Sequence, residues 1–133
     1  MTSFLLDTSA LLALRDDEPG ADRVAELLRD PSVQCHACFM TRMEILYRVW
    51  KDEGETAGKL ALQQCLALPL QWIEADEGLL VQAAELKASH TISVADAWIA
   101  AAALRQQAIL VHKDPEFATV PVEQETLPFK PRR

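Results

Sequence analysis

Four acidic residues, Asp7, Glu44, Asp96 and Asp114, stand where the chain passes from one predicted element to the next. Asp7 interrupts the apolar run SFLLDTSALLAL, where a carboxylate is costly to withdraw from water unless a partner compensates. Each acid also fits a local helix start. TRME at 41–44 and SVAD at 93–96 have capping-box spacing. Asp114-Pro115 reads as an N-cap with proline at the first helical position, and Asp7 can prepare the turn into the next helix. An acid there gains about 0.3–1 kcal/mol from the helix dipole. Jointly the four acquire a second meaning. Carboxylates gathered at one edge repel unless some take up protons or a cation binds, and oxygen-only ligands suit Mg²⁺ or Mn²⁺. Such a site lowers the pKa of bound water and clamps phosphate oxygens during in-line displacement, the chemistry of phosphodiester hydrolysis.

Strands alternating with helices must bring these acids together. Residues 3–7, 32–39, 68–75 and 108–112 read as strands, with a final edge strand expected at 119–124, where Pro121 cannot donate to a ladder. Helices are expected from Ser9, then over 16–30, 41–54, 55–68, 76–90 and 93–107. In 76–90 the apolar residues Leu79, Leu80, Ala83, Ala84 and Leu86 are assigned to one side; 93–107 is apolar almost all round, the mark of a buried helix. This alternation predicts an α/β fold, a mostly parallel central sheet with helices on its faces. Ligands of such sheets bind beyond the carboxyl ends of the strands. Asp7, Glu44 and Asp114 each fall within about a turn of a strand exit, and the buried helix can aim Asp96 at the same edge. Residues 1–123 are read as one domain and 124–133 as a Pro-rich, basic tail.

Composition narrows the functions. The net charge of −7 disfavours passive nucleic-acid binding, which relies on Lys and Arg against phosphates, but not an enzyme that collects carboxylates around cations. Three cysteines do not make a closed disulfide framework. Cys35 and Cys38 fall on opposite faces of a strand and read as buried thiols. No apolar run approaches the roughly 20 residues of a membrane span, and the start lacks a basic n-region, so a cytoplasmic protein is expected.

FLLDTSALLAL, TRMEILYRV, SVADAWIAAAAL and ILVHKDPEF resemble, in order and spacing, the acidic motifs of the PIN-domain family, most closely its VapC-type toxin ribonucleases. The likeness runs from the first strand to about Phe117. It implies a three-layer α/β/α sandwich and a metal-dependent endoribonuclease that is the toxin of a type II toxin–antitoxin pair. It also implies Mg²⁺ (or Mn²⁺) held by Asp7, Glu44, Asp96 and Asp114 acting as catalytic and metal residues. Thr8 matches the residue that often follows the first Asp, as an orienting hydroxyl or as an ordinary turn hydroxyl. Where many relatives carry T-x-D, this chain has His112-Lys113-Asp114, and Glu116 is placed to replace or assist Asp114.

The resemblance further implies an RNA substrate, a homodimer and a cognate antitoxin, with no membrane association. Tyr47 and Trp50 are candidates for the antitoxin groove, and Arg15, Arg42, Arg48, Lys87 and Lys113 for RNA contacts. A catalytically silent PIN fold that binds partners is the alternative. A receiver-type phosphoacceptor is disfavoured, because no acidic pair accompanies the first strand.

Overall fold

A computed structural model describes residues 1–129. The basic end of the expected tail, residues 130–133, lies outside the described residues. Five strands, β1 (Thr2–Leu6), β2 (Val33–Cys38), β3 (Gln71–Ile73), β4 (Ile109–His112) and β5 (Gln124–Thr126), form one sheet in the order β3-β2-β1-β4-β5. Every pairing is parallel. Chain order runs outward from β1 to β3 and then restarts at β4 on the other side of β1. The crevice beyond β1 and β4 is thus the topological switch point, where open parallel sheets bind ligands.

Six helices cover the two faces: α1 (Thr8–Arg15), α2 (Ala21–Arg29), α3 (Phe39–Glu53), α4 (Glu55–Leu66), α5 (Glu77–Ser89) and α6 (Val94–Arg105). Strand alternation divides the core. Phe4, Leu6, Cys35, Ala37 and Val111 meet α1–α4, whereas Leu5, Cys38 and Leu110 meet α5 and α6. Cys35 and Cys38 therefore serve opposite cores, and all three cysteines are free and buried. The α6 alanines Ala100, Ala101, Ala102 and Ala103 are fully buried. Their small side chains let that helix lie close to the sheet.

The structure corrects several local expectations. Asp16–Pro19 do not begin α2. With Gly20, the N-cap of α2, they form a link in which Asp17 and Gly20 take positive φ, 51° and 100°. Thr41 is not the cap of α3, because β2 runs directly into a helix that starts at Phe39, and Cys38 caps it without a side-chain bond. On α5, Leu79, Ala83 and Leu86 are buried, but Leu80 and Ala84 face outward. Helical spacing places them beside the buried stripe, not within it.

The last strand is Gln124–Thr126, not 119–124. A short 3-10 helix, Pro115–Thr119, takes up the preceding residues. The Val120 and Val122 N–H groups bond locally to the Phe117 and Val120 carbonyls, and Pro121 has no N–H to offer. Residues read as tail thus complete the sheet. The Leu127 N–H donates to the His112 carbonyl at 2.8 Å, and its side chain is buried against Gly20.

Candidate active site

Asp7, Glu44, Asp96 and Asp114 occur at or just beyond the carboxyl edge of the sheet, but the structure divides them into two groups. The first is a hydrogen-bonded network between α1 and α3. Asp7 leaves β1 and caps α1, its Oδ1 accepting from the Ala10 N–H at 2.8 Å. The Ser9 hydroxyl lies 2.7 and 2.9 Å from the two Asp7 oxygens. Ser9 Oγ in turn accepts the Lys113 N–H at 2.9 Å, which ties the exit of β4 to that of β1. Thr8 follows Asp7 and points at α3. Its hydroxyl donates to Glu44 Oε1 at 2.6 Å, and Thr41 Oγ1 lies 3.0 Å from Thr8 Oγ1. Arg48, one turn beyond Glu44 on α3, donates to Glu44 Oε2 at 3.1 Å.

The second group is a bare carboxylate cluster. Ser93 caps α6 by accepting the Asp96 N–H at 3.1 Å, but the reciprocal bond of the SVAD box is not made to Asp96, because the Ser93 N–H turns to Glu116. Asp114 caps the 3-10 helix, its Oδ1 accepting the Glu116 N–H at 2.9 Å. That turn swings Glu116 back toward α6, where its Oε2 accepts the Ser93 N–H at 3.4 Å. Asp96, Asp114 and Glu116 each offer an oxygen within 4.8 Å of the others.

Burial makes both groups costly when charged. Asp7 is 3% exposed, and its carboxyl is pushed up to about 7 by desolvation. The Ser9 and Ala10 donors oppose that shift, while the Asp114 and Glu44 charges add to it. Asp96 is pushed up to about 9, first by desolvation and then by the adjoining Glu116 and Asp114 carboxyls. These charge interactions place Asp7 within electrostatic reach of both groups.

His112 and Lys113, which break the T-x-D pattern, do not face the acids. The His112 Nδ1 accepts the Asp114 N–H at 3.0 Å, and its Nε2 lies 2.8 Å from Gln124 Oε1. Gln124 spends its amide hydrogens on the Phe117 and Val120 carbonyls, at 2.7 and 3.2 Å, so its oxygen must accept from His112. The imidazole is thereby fixed as the neutral Nε2–H form. Burial holds its pKa below the ordinary value. Lys113 donates its ammonium to the Pro19 carbonyl at 2.9 Å and lies 3.6 Å from Glu18.

Other cations proposed for RNA are also engaged away from the acids. Arg15 pairs with Asp16 and Glu53, and Arg42 pairs with Glu74 over the Trp72 ring. Arg48 alone among these candidates touches a site acid. Ser9 and Gln124, which brace the two groups, were missed by the sequence reading; a second hydroxyl two residues beyond Asp7 was the available signal for Ser9.

The donor set fits a divalent cation. Three carboxylate oxygens within 4.8 Å are close to the span of a hard-cation shell, and the buried Asp7 and Asp96 carboxyls are deficient in positive charge. Asp96, Asp114 and Glu116 form the nearest ligand set, with Asp7 beside it.

Solved structures share this arrangement of elements. VapBC2 from Rickettsia felis, bound to a DNA fragment from its promoter, superposes with a TM-score of 0.78 at 18% identity, over 96% of this chain and 100% of that one. VapBC-1 from nontypeable Haemophilus influenzae gives 0.72 at 21% identity, over 94% and 98%. Mycobacterium tuberculosis VapC20, a toxin that cleaves the sarcin-ricin loop, gives 0.75 at 18% identity, over 94% and 99%. No curated protein sequence matches the chain. The PIN domain model matches residues 4–123, nearly the whole described fold, and the chain belongs to the PIN domain family.

Proposed function

We propose that this protein is a divalent-metal-dependent endoribonuclease, the toxin of a toxin–antitoxin pair. The observation that carries the reading is the convergence of Asp96, Asp114 and Glu116 within 4.8 Å at the switch point of a parallel sheet, beside the buried Asp7. Mg²⁺ or Mn²⁺ held there would polarise a phosphodiester and activate water for its hydrolysis. Asp96, Asp114 and Glu116 would hold that cation. Asp7 supplies charge from the exit of β1, its orientation fixed by Ser9 and Ala10. Glu44, held by Thr8 and Arg48, positions the Arg48 guanidinium at the mouth.

The structural neighbours include VapBC complexes, which supports an antitoxin partner for this chain. An apolar groove lined by Leu11, Leu14, Ile45, Ala61, Cys65 and Leu68 suits an apolar antitoxin segment. Tyr47 and Trp50, 47% and 43% exposed on α3, extend that surface. Leu80, Val81 and Val94, exposed on α5 and α6, suit a homodimer contact. Among the described residues no helix is long and apolar enough to cross a membrane, in keeping with the cytoplasmic placement proposed for such a toxin.

The test is cleavage of single-stranded RNA in Mg²⁺ or Mn²⁺ by the wild type and by Asp7→Asn. Cleavage should require the metal and be lost in the variant. Activity that persists in EDTA and in Asp7→Asn would overturn the reading.

A further inference from the structure

A pocket of about 320 Å³ opens beside Asp7, between the start of α1, the Arg48 side of α3 and the chain leaving β5. Its walls are Ser9, Leu12, Asp16, Glu18, Arg48, Lys113 and Phe129. Three features make it unlike an ordinary surface hollow. Ser9, on one wall, is the hydroxyl that holds Asp7, so the pocket adjoins the site. Arg48, on another, is 43% exposed along its side chain, and the Glu44 carboxylate fixes its direction at 3.1 Å. Phe129, on the third, is 54% exposed although it follows closely on Leu127, which is buried and bonded to β4. An anchored but exposed aromatic ring beside a fixed guanidinium presents the two groups that single-stranded nucleic acids use most. These are a π-face for a base and a forked donor for a phosphate.

We propose that this pocket is the subsite for the nucleotide next to the scissile phosphate, with Arg48 holding a backbone phosphate and Phe129 stacking the base. The inference rests on the ribonuclease reading and adds to it the path of the substrate. It also identifies a cation that can meet a phosphate in a chain of net charge −7. Arg15, Arg42 and Lys113 are committed to carboxylates or carbonyls, whereas Arg48 is shared between an acid of the site and the mouth of the pocket. Glu44 then acts on substrate through Arg48, as a positioning residue. A second hollow shares Arg48 with the first, but Asp16, Asp52 and Glu53 line it beside Arg15 and Lys51, so it is the less suited of the two to a phosphate.

The experiment uses the full chain carrying Asp96→Asn, so that RNA binds without being cut, and a fluorescein-labelled single-stranded RNA read by anisotropy. Phe129→Ala should weaken binding about five- to a hundredfold, the cost of one lost base stack, and Phe129→Trp should restore it. Arg48→Met should weaken binding and lower the slope of log K against log salt by about 0.7, one phosphate contact on a single strand; Arg48→Lys should keep the slope but not the full affinity. Cleavage by the chain with native Asp96 tests the nuclease reading separately. RNA affinity within twofold of the parent in both Phe129→Ala and Arg48→Met, with that cleavage intact, would overturn the subsite alone. Loss of affinity for a basic peptide in these variants, with RNA affinity unmoved, would assign the pocket to a protein partner and also overturn it.

Discussion

Around Asp7 and Glu44 each carboxylate oxygen has a donor within reach, from the Ala10 amide, Ser9, Thr8 or Arg48. Around Asp96, Asp114 and Glu116 the donors are backbone amides spent on capping, and no lysine or arginine pairs with the three among the described residues. The difference follows from where each half is built. The first spans the seam between α1 and α3, which must be filled and bonded as any core is. The second sits at the start of α6 and on a single 3-10 turn, where Asp96 is buried, Asp114 half-buried and Glu116 exposed, without a cationic side chain among them. The first half therefore has the stability of a finished network. The second retains an unmet demand for positive charge, the condition for binding a cation.

The strongest way to break this contrast is to neutralise one acid in each half. Asp96→Asn should reduce Mn²⁺ affinity and RNA cleavage by at least about 100-fold, since it removes a direct ligand. It should leave the melting temperature of the metal-free protein unchanged or raised, because it relieves repulsion. Glu44→Gln should lower the melting temperature by stranding Arg48, while Mn²⁺ affinity falls less. Calorimetric Mn²⁺ titration and thermal melts in EDTA read both quantities. Equal loss of metal affinity in the two variants would erase the distinction.

The acids also differ in what pH does to them. Asp7 and Asp96 carry raised pKa values, about 7 and about 9, so the folded chain keeps protons that the unfolded chain has released. Stability of the metal-free protein is then fully present below the ordinary carboxylate range. It declines as pH rises, through about 7 for Asp7 and on to about 9 for Asp96. The slope is at most about 1.4 kcal/mol per pH unit for each group. Asp96→Asn should remove the decline above pH 7 and about halve it below, whereas Asp7→Asn should about halve the decline below pH 7 and leave that above it. Melts in EDTA from pH 5 to 9 separate the two. A curve that rises over that range would contradict the assignment of buried, repelling acids.

The legible part of the site was its topology. Asp7 and Asp114 were placed by strand exits, and Asp96 by a helix too apolar to lie outside the core. The division between halves was not legible, because it depends on side-chain direction across tertiary seams. Thr8 reads equally well as a turn hydroxyl until α3 is seen to pass within 2.6 Å of it. Arg48 sits four residues after Glu44, a spacing that helices use for solvated pairs as often as for site geometry. Lys113 looked available for RNA until the α1–α2 link brought the Pro19 carbonyl to its ammonium. The shift of the last strand had a similar cause. Asp114-Pro115 announced a helix start, but that the 3-10 helix would displace the strand to Gln124–Thr126 depended on which later amides could still reach β4.

Within the first half, the Thr8 bond can be removed without changing shape. Thr8→Val leaves Glu44 Oε1 buried without its donor, which should cost about 1–3 kcal/mol in chemical denaturation. If Glu44 is structural support for Arg48, the variant should also raise KM for RNA more than it lowers kcat. A variant with wild-type stability would mean that Thr41 replaces Thr8 as the donor to Glu44.

The smallest effect belongs to the one side chain among the described residues that is bonded to both halves, Ser9. Ser9 donates to Asp7 and accepts the Lys113 amide, one residue before Asp114. Ser9→Ala should cost only about 1 kcal/mol, the worth of an ordinary hydrogen bond. Its information lies in what moves with that loss. With Ser9 gone, Asp7 loses a donor that favours its charged form, and the exit of β4 loses its tie to β1. Mn²⁺ affinity should therefore fall several-fold although Ser9 ligates nothing. In a double-mutant cycle with Asp114→Asn, that loss should shrink toward zero, since the variant no longer presents the carboxylate that Ser9 helps to place. Additive effects across the cycle would mean that the two halves share a crevice without sharing a structure.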